Sequence, residues 1–512
     1  MAPKQQRWWA AAAAAAAAVA VVGTRRVAAQ ESILFGPIVA QEPLAECDLT
    51  VVCNGQFCAD VCAEGSVVVD PWVTSTLAFQ NELQAGRPIN TKTWVGLHNG
   101  FISRANGMGL TEDLGAALFT RTLSSANSTL RVADQRYAIT DLLNMGARHL
   151  EADIWSLDVV SGPAHICHSP VLDPLYGLAL QASADALGWG VLDYVGDNEL
   201  CSNMSFAAAM GRVAAWLAAP ANSREVVGVF LDNRVPDYNI QTVVNDLTAV
   251  FGASLLTPGD LATMFGGVWP STTAMLAHGK RVYVESNDYN PNNYTGTNLT
   301  TVAFYPTTWS AWQDDPDTVV PFPNCTITGS ADWYGADWVR ILEGTVVWYP
   351  DYDERSSGGI FERSAGIADM MACGVGNIGI SNYGPELLPG LSWTWAVGEP
   401  RIARAARADA ANCSAGALTT VRGRWTAQPC SAVLPAACRH GNSSLPAGNN
   451  PSAWSLTAPL PFAAAPAACA ALGPGWAFDL PRDGRENALL AQNATMTALW
   501  RTSPGIWLNA PL

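Results

Sequence analysis

His98 and Asn99 end one apolar run, Glu151 and Asp153 lie within a second, His168 closes a third, and Asp232 ends the run Val226–Leu231. On a strand, residues two apart leave on the same face, so Glu151 and Asp153 point the same way. Carboxylates that close repel unless a cation or a proton lies between them. With the amide oxygen of Asn99 and the carboxylate of Asp232 the set offers four hard oxygen ligands, which suit calcium or, less well, magnesium. His98 and His168 titrate near neutrality and suit proton transfer. Phosphodiester cleavage uses all of these: a metal activates the attacking hydroxyl and neutralises the phosphoryl oxygens, and an acid protonates the leaving alcohol. The rival reading pairs Glu151 and Asp153 with Arg148 or Arg136, and Asp232 with Arg234, two residues on along the same face. His165, three residues before His168, reads as structural, and His149, His278 and His440 receive no role.

Presenting these groups at one rim requires strands that end together. Strands are expected at Trp94–His98, His149–Trp155, Ala164–His168, Val226–Asp232, Arg281–Glu285, Thr301–Phe304, Val339–Val347 and Ile378–Ile380. Amphipathic helices fit Asp134–Met145, Ser205–Ala218, Ile240–Phe251 and Ile360–Cys373. Short apolar strands alternating with helices imply a parallel sheet. About eight of them over roughly 300 residues favour a closed, distorted (β/α)8 TIM-like barrel of the α/β class, its active site at one rim. Long loops rich in Asn, Asp, Pro and Gly, at 287–300 and 314–332, suit binding or lid roles, with Trp309, Trp312 and Trp333 as candidates to stack on a sugar ring.

The 512 residues, about half of them apolar, are enough for one large core and a smaller module. A net charge of -16 and a pI near 4.7 disfavour nucleic acid and strongly anionic surfaces as partners. Residues 1–29 read as a signal peptide, with Lys4 and Arg7 before an Ala/Val run and Val27–Ala29 as the cleavage site; an uncleaved cell-surface anchor is the alternative. Eight glycosylation sequons (Asn127, Asn203, Asn293, Asn298, Asn324, Asn412, Asn442, Asn493) and twelve cysteines accord with secretion. Cys47, Cys53, Cys58 and Cys62 form an N-terminal knot, and Cys413, Cys430, Cys438 and Cys469 staple the C-terminal part. Zinc is the rival there, but the spacings are not paired C-x-x-C. Cys167 reads as a bridge partner, with Cys201 as its candidate, rather than a nucleophile.

The run from Thr93 to Ser169 resembles the X region of phosphatidylinositol-specific phospholipases C, within the superfamily of phospholipase C-like phosphodiesterases. His98-Asn99, the segment Gln135–Gly146 leading into Arg148-His149-Leu150-Glu151-Ala152-Asp153, Cys167-His168-Ser169 and Leu231-Asp232-Asn233-Arg234 carry the resemblance, in the family's order, over roughly residues 85–400. It implies that His98 contacts the phosphoryl group and assists the substrate's own hydroxyl, and that His168 protonates the leaving alkoxide. It also places Asn99, Glu151, Asp153 and Asp232 as the calcium ligands. The metal-free bacterial branch carries an arginine beside the second-strand acid; Trp155 stands about there, which favours a metal. Asp232 replaces the more usual glutamate. The strand 279–285 runs on into Ser286-Asn287-Asp288 and not into the lysines that grip ring phosphates, which points to an unphosphorylated or singly linked headgroup.

The chain therefore divides, by expectation, into a signal peptide (1–29), a Cys-rich segment (30–84), a phosphodiesterase barrel (85–400) and a Trp/Cys-rich appendage (401–512). The appendage resembles C-type lectin pieces in inverted order, with Glu399-Pro400-Arg401 and Trp425-Thr426-Ala427 in place of the calcium motifs, so glycan contact there is a lesser expectation. The expected activity is that of a secreted phosphoric diester hydrolase acting on a phosphatidylinositol- or glycosylphosphatidylinositol-type lipid at a membrane surface. The alternatives are a glycerophosphodiesterase or sphingomyelinase D-like enzyme, whose first His is usually followed by Arg-Gly, and a non-catalytic glycan-binding surface protein on a barrel scaffold.

Overall fold

The computed structural model describes residues 45–54, 57–110, 133–156, 162–168, 201–286, 298–305, 308–313, 322, 325, 338–343, 364–385, 387–400, 412–417, 423–441, 454–496 and 505–510. The expected signal peptide, Trp333 and the sequons Asn127, Asn293, Asn324 and Asn442 lie outside them. In chain order come β1 (Leu49–Asn54), β2 (Phe57–Cys62), α1 (Pro71–Leu83), β3 (Trp94–Leu97), α2 (Ile139–Asn144), β4 (His149–Ser156), β5 (Ala164–Cys167), β6 (Cys201–Ser205) and α3 (Phe206–Ala218). There follow β7 (Val227–Asn233), α4 (Ile240–Phe251), β8 (Leu255–Leu256), α5 (Pro258–Phe265), α6 (Thr272–Ala277), β9 (Val282–Ser286), β10 (Thr308–Gln313), β11 (Trp338–Glu343), α7 (Ser364–Cys373), β12 (Asn377–Ile380) and α8 (Leu388–Leu391).

A central mixed sheet organises the chain: β10-β11-β12-β3-β4-β7-β9-β8, every neighbour on this path parallel, with β5 antiparallel to β4 and β6 antiparallel to β5. The fold is thus mixed α/β. The antiparallel β5 differs from the parallel strand expected at Ala164–His168. Only seven residues separate β4 from β5, enough for a hairpin and too few for the crossover that a parallel return needs. The helix expected from Asp134 starts at Ile139, because Asp134 and Gln135 are engaged elsewhere. Thr301–Phe304 is a 3-10 turn (Asn298–Thr301) followed by one parallel bridge, Glu285 to Phe304, and β6, β8 and β10 had no counterpart in the expectation.

Alternation sorts the sheet's two faces. Val95, Leu97, Leu150, Ala152, Ile154, Val227, Val229, Leu231, Val282, Val284, Ile378 and Ile380 pack with Leu142, Met210, Val213, Val243, Leu247, Ile367 and Met370 of the helices into the main core. The opposite face carries His149, Glu151, Asp153, Phe230, Asp232, Tyr283, Glu285, Arg340 and Asn377. That face is concave. Arg340 on β11 reaches Glu151 on β4 at 3.1 Å and stacks 3.3 Å from the ring centroid of Phe230 on β7. Strands lie about 4.8 Å apart, so a flat sheet would separate β11 from β4 by about 14 Å and from β7 by about 19 Å, beyond the reach of one side chain. Glycines make room inside the curve: a Cβ on Gly228 would meet the Tyr283 ring at 2.5 Å and His149 at 2.7 Å.

Two small sheets follow. β13 (Asn412–Ala417) pairs with β14 (Trp425–Pro429) and β18 (Gly505–Trp507); β15 (Ala437–His440) pairs with β16 (Trp454–Leu456) and β17 (Trp476–Phe478). With them are α9 (Ala465–Ala470) and α10 (Gly484–Met496). Trp425 sits among Trp393, Trp395 and Phe79, and its Nε1 donates to Asn487 at 2.9 Å. Buried Glu486 takes Arg439 at 3.2 Å and Arg87 at 3.6 Å, and Arg87 also pairs with Asp483, which ties this part to the segment before β3.

All twelve cysteines are paired: 47–62, 53–58, 167–201, 325–373, 413–430 and 438–469. Complete pairing marks an extracytoplasmic protein. Among the described residues no helix is long and apolar enough to cross a membrane.

Candidate functional site

The expected site residues converge just past β3, along β4 and near the C-terminal end of β7. Register accounts for it: Leu97 pairs with Leu150 and Asp153 with Asp232, so His98 stands level with Glu151, and the two aspartates stand side by side one pleat higher. The β5 hairpin folds back along the upper half of β4 and returns His168 to the same place, with Cys167 bonded to Cys201 directly across the strand pair.

Each imidazole faces a carboxylate of β4. His98 Nε2 lies 3.9 Å from Glu151 Oε2, and His168 Nε2 lies 4.0 Å from Asp153 Oδ2. His98 is buried, with its Nδ1 3.1 Å from Ser381 Oγ just past β12. His168 keeps 21% of its side chain exposed. Burial, with the charges of His168 and Arg340, holds His98 well below the ordinary imidazole range. Burial pushes His168 down to about 4 against the attraction of Asp232. Asp153 moves the opposite way, well above the carboxylate range, through burial and then repulsion from Asp232, Glu151 and Asp134. Neither of its oxygens meets a hydrogen-bond donor. Burial thus biases both imidazoles toward the neutral form and Asp153 toward the protonated one.

A second set of residues had not been singled out as part of the site. Asp134, buried, accepts from Asn99 Nδ2 at 2.6 Å, and its backbone carbonyl accepts from Asn382 at 2.6 Å. Gln135 Nε2 donates to the carbonyls of His98 at 2.7 Å and Ile380 at 2.8 Å, while Oε1 accepts from Tyr383 N–H at 3.1 Å. The segment thus stitches the end of β3 to the end of β12. Asn99 and Asn382 turn those two ends in the left-handed region, at φ 47 and 48, which asparagine tolerates better than most side chains. His149, given no role, stands inside the curve with Nε2 3.2 Å from Glu285 Oε1 and Nδ1 2.7 Å from the Asn377 amide. His278 and His440 lie against Phe265 and Trp476, away from these groups. Trp309 and Trp312 fall on β10, but their side chains, like Trp333, lie outside the described residues.

The charge partners decide how the expected calcium ligands stand. Glu151 Oε1 accepts from Arg340 Nη2 at 3.1 Å, not from Arg148, which pairs with Glu225 at 2.8 Å. Asp232 is clamped through both oxygens by Arg234, at 3.2 and 3.1 Å. The Asn99 amide is turned to Asp134. Asp153 alone of the four presents a carboxylate that no protein donor occupies. Calcium takes six to eight oxygens. Among the described residues no group of three His, Cys, Asp or Glu side chains is disposed to hold a metal ion. As they stand, Asn99, Glu151, Asp153 and Asp232 do not fit calcium or magnesium.

No protein-family model matches the chain. It is 27% identical over 442 residues, covering 82% of its own length and 77% of theirs, to two Mycobacterium tuberculosis proteins, Uncharacterized protein MT2135 of strain CDC 1551 / Oshkosh and Uncharacterized protein Rv2075c of strain ATCC 25618 / H37Rv. Neither name carries an activity.

Proposed function

We propose that the chain is a secreted or cell-surface phosphoric diester hydrolase of phospholipase C-like type, acting on a phosphatidylinositol- or glycosylphosphatidylinositol-type lipid at a membrane surface. The observation that carries this reading is the pair of imidazoles, His98 and His168, each set against a carboxylate of one strand. Neutral His98 takes the proton of the substrate's hydroxyl as that oxygen attacks phosphorus. The Asp153–His168 pair returns a proton to the departing alkoxide, so that charge is balanced across the step. Ser381 beside Nδ1 leaves Nε2 as the nitrogen facing the reacting groups.

The reading carries with it a closed (β/α)8-type barrel. Its support is the concave polar face and the bridge at Glu285 and Phe304, where Phe304 N–H donates to Val284 at 2.8 Å and Ser286 N–H to Phe304 at 3.0 Å. Phe304 stands four residues before β10, the far edge of the sheet, so its contact with β9 draws the two edges toward each other. The continuation of β9 into Ser286-Asn287-Asp288, without lysines, supports a headgroup free of extra ring phosphates.

The test is hydrolysis of phosphatidylinositol vesicles by the secreted protein, followed by phosphorus NMR of the soluble product. Wild type releases an inositol phosphate. His98→Ala and His168→Ala, folded by circular dichroism, lose at least about 100-fold in rate, the scale of a general acid or base. Wild-type rates in both variants would refute the assignment.

A further inference from the structure

We infer that this site works without a divalent cation, because two guanidiniums of the chain hold the positive charge that a metal would bring. The inference rests on the phosphodiesterase reading for its chemistry but on observed pairings for its charge. Four carboxylates, Asp134, Glu151, Asp153 and Asp232, cluster with Arg234 and Arg340 on and beside the concave face of the sheet. Both arginines act on the site's titrating groups: Arg340 on Glu151 and His98, Arg234 on Asp153 and His168.

The two arginines differ in what they can do. Arg340 is 2% exposed, fixed to Glu151 at 3.1 Å and seated over the Phe230 ring at 3.3 Å. It is a fixed charge inside the curve of the sheet, too enclosed to exchange partners. Arg234 keeps 25% of its side chain exposed, and its fork is presented to the two oxygens of Asp232. The planar fork that matches a carboxylate also matches two phosphoryl oxygens, so an incoming phosphodiester can share or replace Asp232 as its partner. Arg234 is then the group that meets the phosphoryl oxygens as charge builds on them, and Arg340 keeps Glu151 from repelling the same anion. A dication placed among Asn99, Glu151, Asp153 and Asp232 would instead face both guanidiniums.

Calcium titration of the full-length protein by calorimetry, with melting measured in EGTA and in millimolar calcium, tests the inference without any substrate. The expected result is no binding heat and an unchanged melting temperature. Saturable calcium binding that disappears in Asp232→Asn would overturn it. With vesicles, turnover in EGTA should lie within about twofold of that in calcium. Arg234→Met should lower kcat about 100- to 1000-fold, as loss of one transition-state donor does, and Arg234→Lys should recover only part because it keeps the charge without the fork. Turnover abolished by EGTA and restored by calcium, or a wild-type kcat in Arg234→Met, would also overturn it. A protein that binds no calcium yet cleaves no diester would leave the charge inference standing and remove the phosphodiesterase reading.

Discussion

Replacing Gln135 by methionine tests whether the candidate base is held in place by a residue that carries no catalytic chemistry. Methionine fills nearly the same volume, so it removes hydrogen bonds without opening a hole for water. Three bonds go: two donated to the carbonyls of His98 and Ile380, and one accepted from Tyr383 N–H. The Ile380 carbonyl keeps the His98 N–H at 3.1 Å, so the cost falls on the His98 carbonyl and the Tyr383 amide. Each buried group that loses its partner costs roughly 1–3 kcal/mol, which sums to roughly 2–6 kcal/mol. Against a total of roughly 5–15 kcal/mol this is a large share, read as a lower urea midpoint at unchanged slope. Because the lost bonds hold the end of β3, kcat should also fall about 100-fold, the effect of displacing a reacting group by about an ångström. The control is Gln241→Met, where an exposed amide bonds Asn245 and Asn298, and the expected change is below about 1 kcal/mol. An unfolding free energy for Gln135→Met within about 0.5 kcal/mol of wild type would refute the reasoning, whatever the activity.

Two further outcomes follow from buried groups near this frame. Lys92 is fully buried, bonded to Asn81 Oδ1 and 4.3 Å from the Trp94 ring, and burial lowers it to about 7 against the attraction of Glu225. Its folded-state value lies below its unfolded one, so the fold carries the full cost of the charge below about pH 7 and stability rises from there toward the ordinary lysine range. A shift of that size amounts to about 5 kcal/mol at most. Lys92→Met should therefore stabilise at pH 6 and lose that advantage by pH 10, as read by urea unfolding at each pH; equal effects at both would contradict the linkage. The bond between Cys167 and Cys201 closes a span of 34 residues immediately beside His168. Replacing both by alanine should cost about 4 kcal/mol by chain entropy. It should also lower kcat more than the same change at Cys413 and Cys430, which a purely structural bridge would not do.

What the sequence disclosed and what it withheld divide along a physical line. Glu151 and Asp153 share a face because strand alternation is local, and Arg234 was legible as the partner of Asp232 for the same reason: both sit two residues apart on one strand. That the cysteines at both ends would form bridges was legible from their crowding, but which pairs with which was not, because four cysteines allow three pairings. Nor was Arg340. It lies 189 residues from Glu151 and two strands intervene between theirs, so their meeting depends on the curl of the sheet. Periodicity reports which face a residue occupies and carries little information on how far that face bends. The expectation of a metal was drawn from the same count along the strands. Counted along the strands, the carboxylates outnumber the cations near them and ask for an ion; counted across the concave face, a guanidinium from the far side already answers Glu151. Asp134 and Gln135 were missed for a related reason, since an apolar pattern that reads as one helix from Asp134 to Met145 cannot show that its first residues leave the helix to bind the ends of β3 and β12. A carboxylate cluster read from sequence therefore sets a demand for positive charge, and whether an ion or a distant arginine meets it is settled by curvature.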